Sequence, residues 1–212
     1  MSSSLSQLRE FSKKIVEVRI RAQRSGAKKG EKMEEYFDVL DENGEFTNRV
    51  ESREECHSKG FWHKAVALYI INSKDQVLLQ KRSANKKLWP NLWDMSAGGH
   101  VLAGEFGFQA IIREIKEELG TDIEKNDITF IGSSTSVNIK KDIINKHFNE
   151  YYIVNKDIDI SKLKLQEEEV SDIKWFDKED ILARIENNYQ DITDKMGCWD
   201  YLKRYYEWKE NN

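Results

Sequence analysis

The stretch GGHVLAGEFGFQAIIREIKEELG, residues 98–120, sets four glutamates and five glycines among otherwise largely apolar positions. Phe108, Ile111, Ile112, Ile115 and Leu119 recur at helical spacing, and Gly120 supplies the residue on which such a helix stops. At about 100° per residue, Glu114, Glu117 and Glu118 fall together on a side of the helix away from that stripe. Carboxylates this close repel one another, and a solvated helix would dilute them with lysines, so the arrangement is costly unless a cation sits among them. Donors that are all oxygen favour hard divalent ions, Mg2+ or Mn2+. Glu105 and Arg113 are spaced to pair across the junction of loop and helix, while Gly99 and Gly104 let the backbone turn tightly and approach a ligand.

Outward from this segment the chain reads mostly as strand. EEYFDVLDENGEFTNRV predicts two short strands about an Asn43-Gly44 turn, the strongest short hairpin signal. GFWHKAVALYIINSKDQVLLQKRS predicts a long strand, a turn over Asn72 to Asp75 and a second strand; DITFIGSSTSVNI with HFNEYYIVN predicts a further pair, and DIKWFD a last strand. Two more helices are expected, over DKEDILARIEN and TDKMGCWDYLKRYYEWKE. The order of elements suggests a mixed sheet with helices on its faces.

The chain has 212 residues, net charge −4, 39% hydrophobic and 34% charged residues, which suits one soluble domain with appendages. Residues 1–30 carry eight Lys or Arg against Glu10 and Glu17, so the start differs in charge from an acidic remainder. A basic helical arm over 1–34 is expected, docking on its own acidic body or on a second subunit rather than on nucleic acid. The main domain is then 35–212, including a C-terminal helix. No apolar run has the length to span a membrane, and no secretory leader is legible, so a cytoplasmic location is expected. Cys56 and Cys198 lie far apart in sequence and read as reduced structural thiols.

Gly99, five residues, Glu105, seven residues, then Arg113-Glu114-Ile115-Lys116-Glu117-Glu118-Leu119-Gly120 resembles the full signature of the Nudix hydrolases, except that Thr121 replaces the usual aliphatic residue. The resemblance implies an α/β/α sandwich around a mixed β-sheet, here with added N-terminal and C-terminal helices. It implies Mg2+- or Mn2+-dependent cleavage of a small molecule containing a diphosphate, such as a nucleoside diphosphate derivative. By that carry-over Glu114, Glu117 and Glu118 bind metal, Gly99 lends its carbonyl, and Glu105 with Arg113 orients the helix. A general base is sought outside the box, in Glu150 first and otherwise in one of Glu167, Glu168 or Glu169. Membrane binding is not expected, and a homodimer using the arm is a candidate assembly.

Residues 35–182 are also similar to the branch that contains the isopentenyl-diphosphate isomerases. There, histidines matching His57, His63 and His100, with two glutamates of which one matches Glu150, are implied to hold a metal beside a catalytic cysteine. This chain departs from that pattern: the cysteine position is Gly98 and the other glutamate position is Phe148. Without a thiol, proton transfer at carbon lacks an agent. Hydrolysis is therefore favoured over isomerisation and over a non-catalytic nucleotide-binding module. His57, His63 and His100 stay open among vestige, second metal site and substrate contact, and His147 is given no role. Trp62, Trp89 and Trp93 are read as core packing ahead of base stacking.

Overall fold

The computed structural model describes residues 34–140, 142–193 and 197–212. The basic arm expected over 1–34 lies, but for Glu34, outside the described residues. In chain order the elements are β1 Tyr36–Leu40, β2 Phe46–Ser52, α1 Arg53–Lys59, β3 Trp62–Ile71, β4 Val77–Arg82, β5 Trp93–Asp94 and β6 Ala97–His100. There follow α2 Gly107–Leu119, β7 Ile128–Lys140, β8 Ile143–Asn155, β9 Val170–Phe176, α3 Lys178–Glu186 and α4 Cys198–Glu210. This is a mixed α+β fold whose ladders include antiparallel pairs and a parallel bridge between Trp93 and Ile192. None of the described helices is long and apolar enough to cross a membrane.

The contacts divide the chain into two compact units, one of residues up to Lys64 with His100–Phe106 and Thr135–Phe148, the other of Ala65–Gly99, Gly107–Ser134 and Asn149–Asn212. In the first, β1 and β2 form the expected antiparallel hairpin, pairing Tyr36 with Ser52 and Asp38 with Val50. Its turn places Gly44 at φ +86°, and Asp41 Oδ1 accepts from the Asn43 and Glu45 N–H groups at 2.8 and 2.9 Å. Helix α1 was not expected. Its signal was present as a capping serine followed by Glu54 and Glu55 in the first turn: the Ser52 hydroxyl accepts from Glu55 N at 3.2 Å, and Gly60, left-handed at φ +67°, ends the helix. Seven residues are too few to show an apolar stripe. Phe37, Val39 and Cys56 are buried together, with Phe61 and Leu102 against them. Burial pushes the Cys56 thiol up to about 12, so it stays protonated and inert, and Cys198 is likewise free and buried.

In the second unit β4 pairs antiparallel with β3, β5 and β9, with Leu78 opposite Ile70, Gln80 opposite Asp94 and Leu79 opposite Lys174. Strand alternation then sorts the side chains. Tyr69, Ile71, Val77 and Leu79 pack with Ile181 of α3 and Trp199, Leu202 and Tyr206 of α4. Leu68, Ile70 and Leu78 are buried on the opposite side, where Gln80 Nε2 donates to Glu118 Oε2 of α2 at 3.3 Å. Helices therefore lie on both faces of this sheet, as the sequence implied. Each wholly buried aliphatic side chain contributes about 1.5–3 kcal/mol, which favours the layered arrangement over an open sheet.

Arg82 and Asp94 hold the loop after β4. Arg82 Nη1 reaches Asp94 Oδ2 at 2.9 Å, and Arg82 Nε donates to the carbonyls of Leu88 and Trp89 at 3.2 and 3.1 Å. Asp94 Oδ1 accepts from Met95 N and from the Thr193 hydroxyl. Asp94→Ala leaves the largely covered Arg82 guanidinium without its counter-charge, with an expected loss of about 3 kcal/mol in urea unfolding. A loss below about 1 kcal/mol would show that the pair does not brace the loop.

Candidate active site

Helix α2 buries Gly107, Ala110, Ile111, Ile115, Glu118 and Leu119. The expected stripe is thus corrected at both edges: Phe108 and Ile112 are only half-buried, and Glu118 faces inward. The carboxylates consequently differ in environment. Glu117 is half-exposed, Glu114 lies largely covered, and Glu118 is 6% exposed. Arg113 Nη1 donates to Glu114 Oε1 at 2.7 Å and to Glu117 Oε2 at 3.4 Å. Glu105 Oε2 accepts from Leu102 N at 3.0 Å, an interaction that fixes its own loop.

Two glycines let the strand before the helix approach these carboxylates. Gly98 N donates to Glu118 Oε2 at 3.1 Å. A Cβ on Gly99 would stand 2.1 Å from Glu114 Oε1, so only glycine leaves that carboxylate where it is. Gly98 is equally confined: a Cβ there would meet the Val66 carbonyl oxygen at 2.6 Å and Met95 Sδ at 2.8 Å.

Burial, and then the charge of Glu114, pushes Glu118 up to about 8, although the Gly98 N–H opposes the shift. From its ordinary value of 4.5 to about 8 the folded chain keeps a proton that the unfolded chain releases. Stability from this group is fully present below pH 4.5 and is lost as pH rises through 8. In excess chelator the urea midpoint is therefore expected to fall across that window, and Glu118→Gln should flatten the fall. Equal slopes in the two proteins would remove Glu118 as its source.

The outlying glutamates separate clearly. Glu150 accepts from the Tyr152 hydroxyl and lies over the start of α2, where a Cβ on Gly107 would come within 1.9 Å of its Oε2. Gly107 and Glu114 are seven residues apart, about 10 Å along the helix axis. Glu167 and Glu168 are exposed, whereas Glu169 is half-buried, paired with Lys86, and adds its charge to the field that raises Glu118. The backbone sets this placement: Lys164 N and Gln166 N donate to the carbonyls of Leu119 and Glu118, capping the end of α2, and Ser83 N donates to the Glu169 carbonyl.

The first unit gathers His57 of α1, His63 of β3, His100 of β6 and His147 of β8, each with one ring nitrogen in a group whose members all lie within 4.8 Å of one another. Nothing in its neighbourhood along the chain links His147 to the others, so the sequence alone gives it no role. Burial first, then neighbouring cationic groups, lowers His57 to about 3 and lowers His100 well below its ordinary value. Burial takes His63 to about 4 against the opposing Phe61 carbonyl. Of the tryptophans, Trp93 packs edge-on against Phe176 and Trp62 tilts against Phe148, both at 5.0 Å between ring centres.

A NUDIX domain family model matches residues 61–196. The chain belongs to the Nudix family. An uncharacterized Nudix hydrolase of Listeria innocua is 40% identical over 149 residues, 70% of this chain and 83% of its own length. Nudix hydrolase 3 of Arabidopsis thaliana is 38% identical over 67% of this chain and 19% of its own length. The isopentenyl-diphosphate Delta-isomerase of Escherichia coli is 28% identical over 72% of this chain and 82% of its own length. Among solved structures, a protein of Deinococcus radiodurans superposes with TM-score 0.59 at 24% identity, over 76% of this chain and 94% of that one. That likeness bears on the fold alone. As a Nudix hydrolase the chain belongs to enzymes that act on pyrophosphate bonds.

Proposed function

We propose that this Nudix hydrolase cleaves the diphosphate linkage of a nucleoside diphosphate derivative or related organic pyrophosphate with Mg2+ or Mn2+. The observation that carries the reading is the buried Glu118 beside Glu114, with the Gly99 backbone closed over Glu114. Two oxygen donors in so confined a space repel unless a cation is shared between them, and hard oxygen donors suit Mg2+ and Mn2+. Glu114, Glu117 and Glu118, with the Gly99 carbonyl, would hold it. When bound, such an ion neutralises diphosphate oxygens and lowers the pKa of water.

The chain's own groups supply the rest. Arg113, bonded to Glu114 and Glu117, fixes the rotamers of both carboxylates, and the Gly98 N–H fixes Glu118. For the outlying carboxylate that takes a proton from the attacking water we favour Glu169 over Glu150, a choice supported by the tie of its segment to the end of α2 beside Glu118. Glu150, at the other end of the helix, suits contact with a part of the substrate remote from the broken bond.

Isomerisation is disfavoured by space as well as by chemistry. Gly98→Cys would drive a side chain into the Val66 carbonyl, so the exchange supplies no usable thiol. The test assays phosphate or monophosphate release over a panel of nucleoside diphosphate derivatives and other organic pyrophosphates, with metal and with chelator. A deuterium-exchange assay on isopentenyl diphosphate runs beside it. Hydrolysis that stops on chelation, with no deuterium incorporated by the unaltered chain or by Gly98→Cys, is the expected result. Deuterium in the isoprenoid carbons without hydrolysis of any compound would reverse the assignment.

A further inference from the structure

In the second unit, strand β8 divides its side chains between two faces. Tyr151 and Ile153 pack with Ile181 of α3 and Leu202 of α4, so the alternate residues Glu150 and Tyr152 face α2. The surroundings of Gly107 agree. A Cβ there would stand 1.9 Å from Glu150 Oε2 and 2.4 Å from the Tyr152 hydroxyl oxygen, so the helix opens on glycine to admit the pair. The Tyr152 hydroxyl donates to Glu150 Oε2 at 2.5 Å, and because Tyr152 is itself only 6% exposed, this bond holds the carboxylate in one rotamer. Phe130 of β7 stands beside them. Its ring meets that of Tyr152 edge to face with 5.6 Å between centres, yet 55% of the residue is exposed. Phe108, next to Gly107, is already roofed by the Lys125 ammonium 4.3 Å from its ring centre, which leaves Phe130 as the ring on offer.

This group lies in line with the carboxylates of α2. Seven and eleven steps of about 100° both return close to the starting direction, so Gly107, Glu114 and Glu118 project from the helix within about 40° of one another. Glu150 and Tyr152 mark the Gly107 end of that line, and Glu114 lies about 10 Å further along the axis. A ribose with its 5′-phosphate bridges such a span. The chemistry at the Gly107 end is selective in the same sense. A carboxylate is an acceptor on both oxygens, which suits two neighbouring hydroxyl donors, and an exposed phenyl ring suits the flat face of a base. An isoprenoid tail offers neither hydroxyls nor a planar ring system.

We infer that Phe130, Glu150 and Tyr152 form the nucleoside end of the site: Phe130 stacks on the base, Glu150 accepts from the ribose 2′- and 3′-hydroxyls, and Tyr152 is a positioning residue that holds Glu150 to that task. This rests on the hydrolase reading above and narrows its substrate. A ribonucleoside diphosphate derivative is taken ahead of its 2′-deoxy counterpart and ahead of an isoprenoid diphosphate. The base itself is loosely read, since every base has a face to stack.

The test titrates the full chain, in chelator, with adenosine, guanosine, cytidine and uridine and with their 2′-deoxy forms, followed by saturation-transfer NMR. The titrations are repeated in Phe130→Ala, Phe130→Trp and Tyr152→Phe, with urea midpoints measured alongside. Nucleosides carry no phosphate and need no metal, so their binding is read apart from hydrolysis. Ribonucleosides are expected to bind about tenfold more tightly than the deoxy forms, because a hydrogen bond to a charged acceptor is lost with the 2′-hydroxyl. Phe130→Ala should weaken binding about tenfold and Phe130→Trp should restore it. Tyr152→Phe keeps the ring and should narrow the gap between ribo and deoxy forms. Absence of ribonucleoside binding, binding unmoved in Phe130→Ala, or equal affinity for ribo and deoxy forms would each overturn the inference. So would a Tyr152→Phe variant that lowers the urea midpoint with the ribo-to-deoxy ratio unchanged, which is the mark of a structural role alone. Hydrolysis of a diphosphate without nucleoside binding strikes this inference and spares the reaction, whereas nucleoside binding without hydrolysis of any diphosphate does the reverse.

Discussion

Glu118→Gln is expected to lower turnover about a thousandfold or more while the chain keeps its fold. The substitution conserves shape, and an amide oxygen can still accept from Gly98 N, now 3.1 Å from Glu118 Oε2. It removes the charge that the proposed cation requires, and with it both the neutralisation of the diphosphate and the activation of water. The same change should raise stability in chelator at pH 8, since a buried neutral amide replaces a carboxylate that burial resists ionising. Activity and stability thus move in opposite directions, a combination that simple misfolding does not produce. Glu117→Gln is expected to lower turnover as well, with a smaller effect on stability because Glu117 is half-exposed. Steady-state kinetics beside urea unfolding measures both quantities. Near-normal metal-dependent rates in Glu118→Gln would sink the assignment.

Gly99→Ala should be nearly as damaging, about a hundredfold in kcat/KM, without altering any charge. Its new methyl would stand 2.1 Å from Glu114 Oε1 and 2.4 Å from Glu114 Cδ. The glutamate must swing away, breaking its bond from Arg113 and its alignment with Glu118. Restoring space should partly restore function: Glu114→Asp in the Gly99→Ala background shortens the displaced side chain. A double variant at least as active as Gly99→Ala alone, with Glu114→Asp harmful by itself, is the expected pattern. Purely additive losses would show that the two residues do not share the space described.

The helix and its carboxylates were legible because the apolar positions repeat over three turns, a signal that needs no knowledge of the partner surface. The hairpin was legible because Asn43-Gly44 accepts the required backbone angles. What escaped was set by neighbours distant in sequence. Glu118 looked like its companions Glu114 and Glu117, and only Gln80 and Gly98, bonded to it across the fold, reveal that it is buried. Glu169 looked no different from Glu167 and Glu168; the pairing with Lys86 and the caps on α2 distinguish it. His147 could not be joined to the other histidines from sequence, because strand register, not spacing along the chain, brings it to them.

The closed space at Gly98 has a consequence for descent. Any side chain there collides with the Val66 carbonyl and with Met95 Sδ, one of them backbone and therefore slow to yield. A lineage passing between a glycine and a cysteine at this position must first shift the strand carrying Val66, and that shift offers no gain until the thiol arrives. The order of substitutions is then constrained, and a single-step exchange is a valley rather than a path. Relatives that share this chain's fold but carry a side chain at the position are expected to differ at Val66 or Met95 as well, which their coordinates will show.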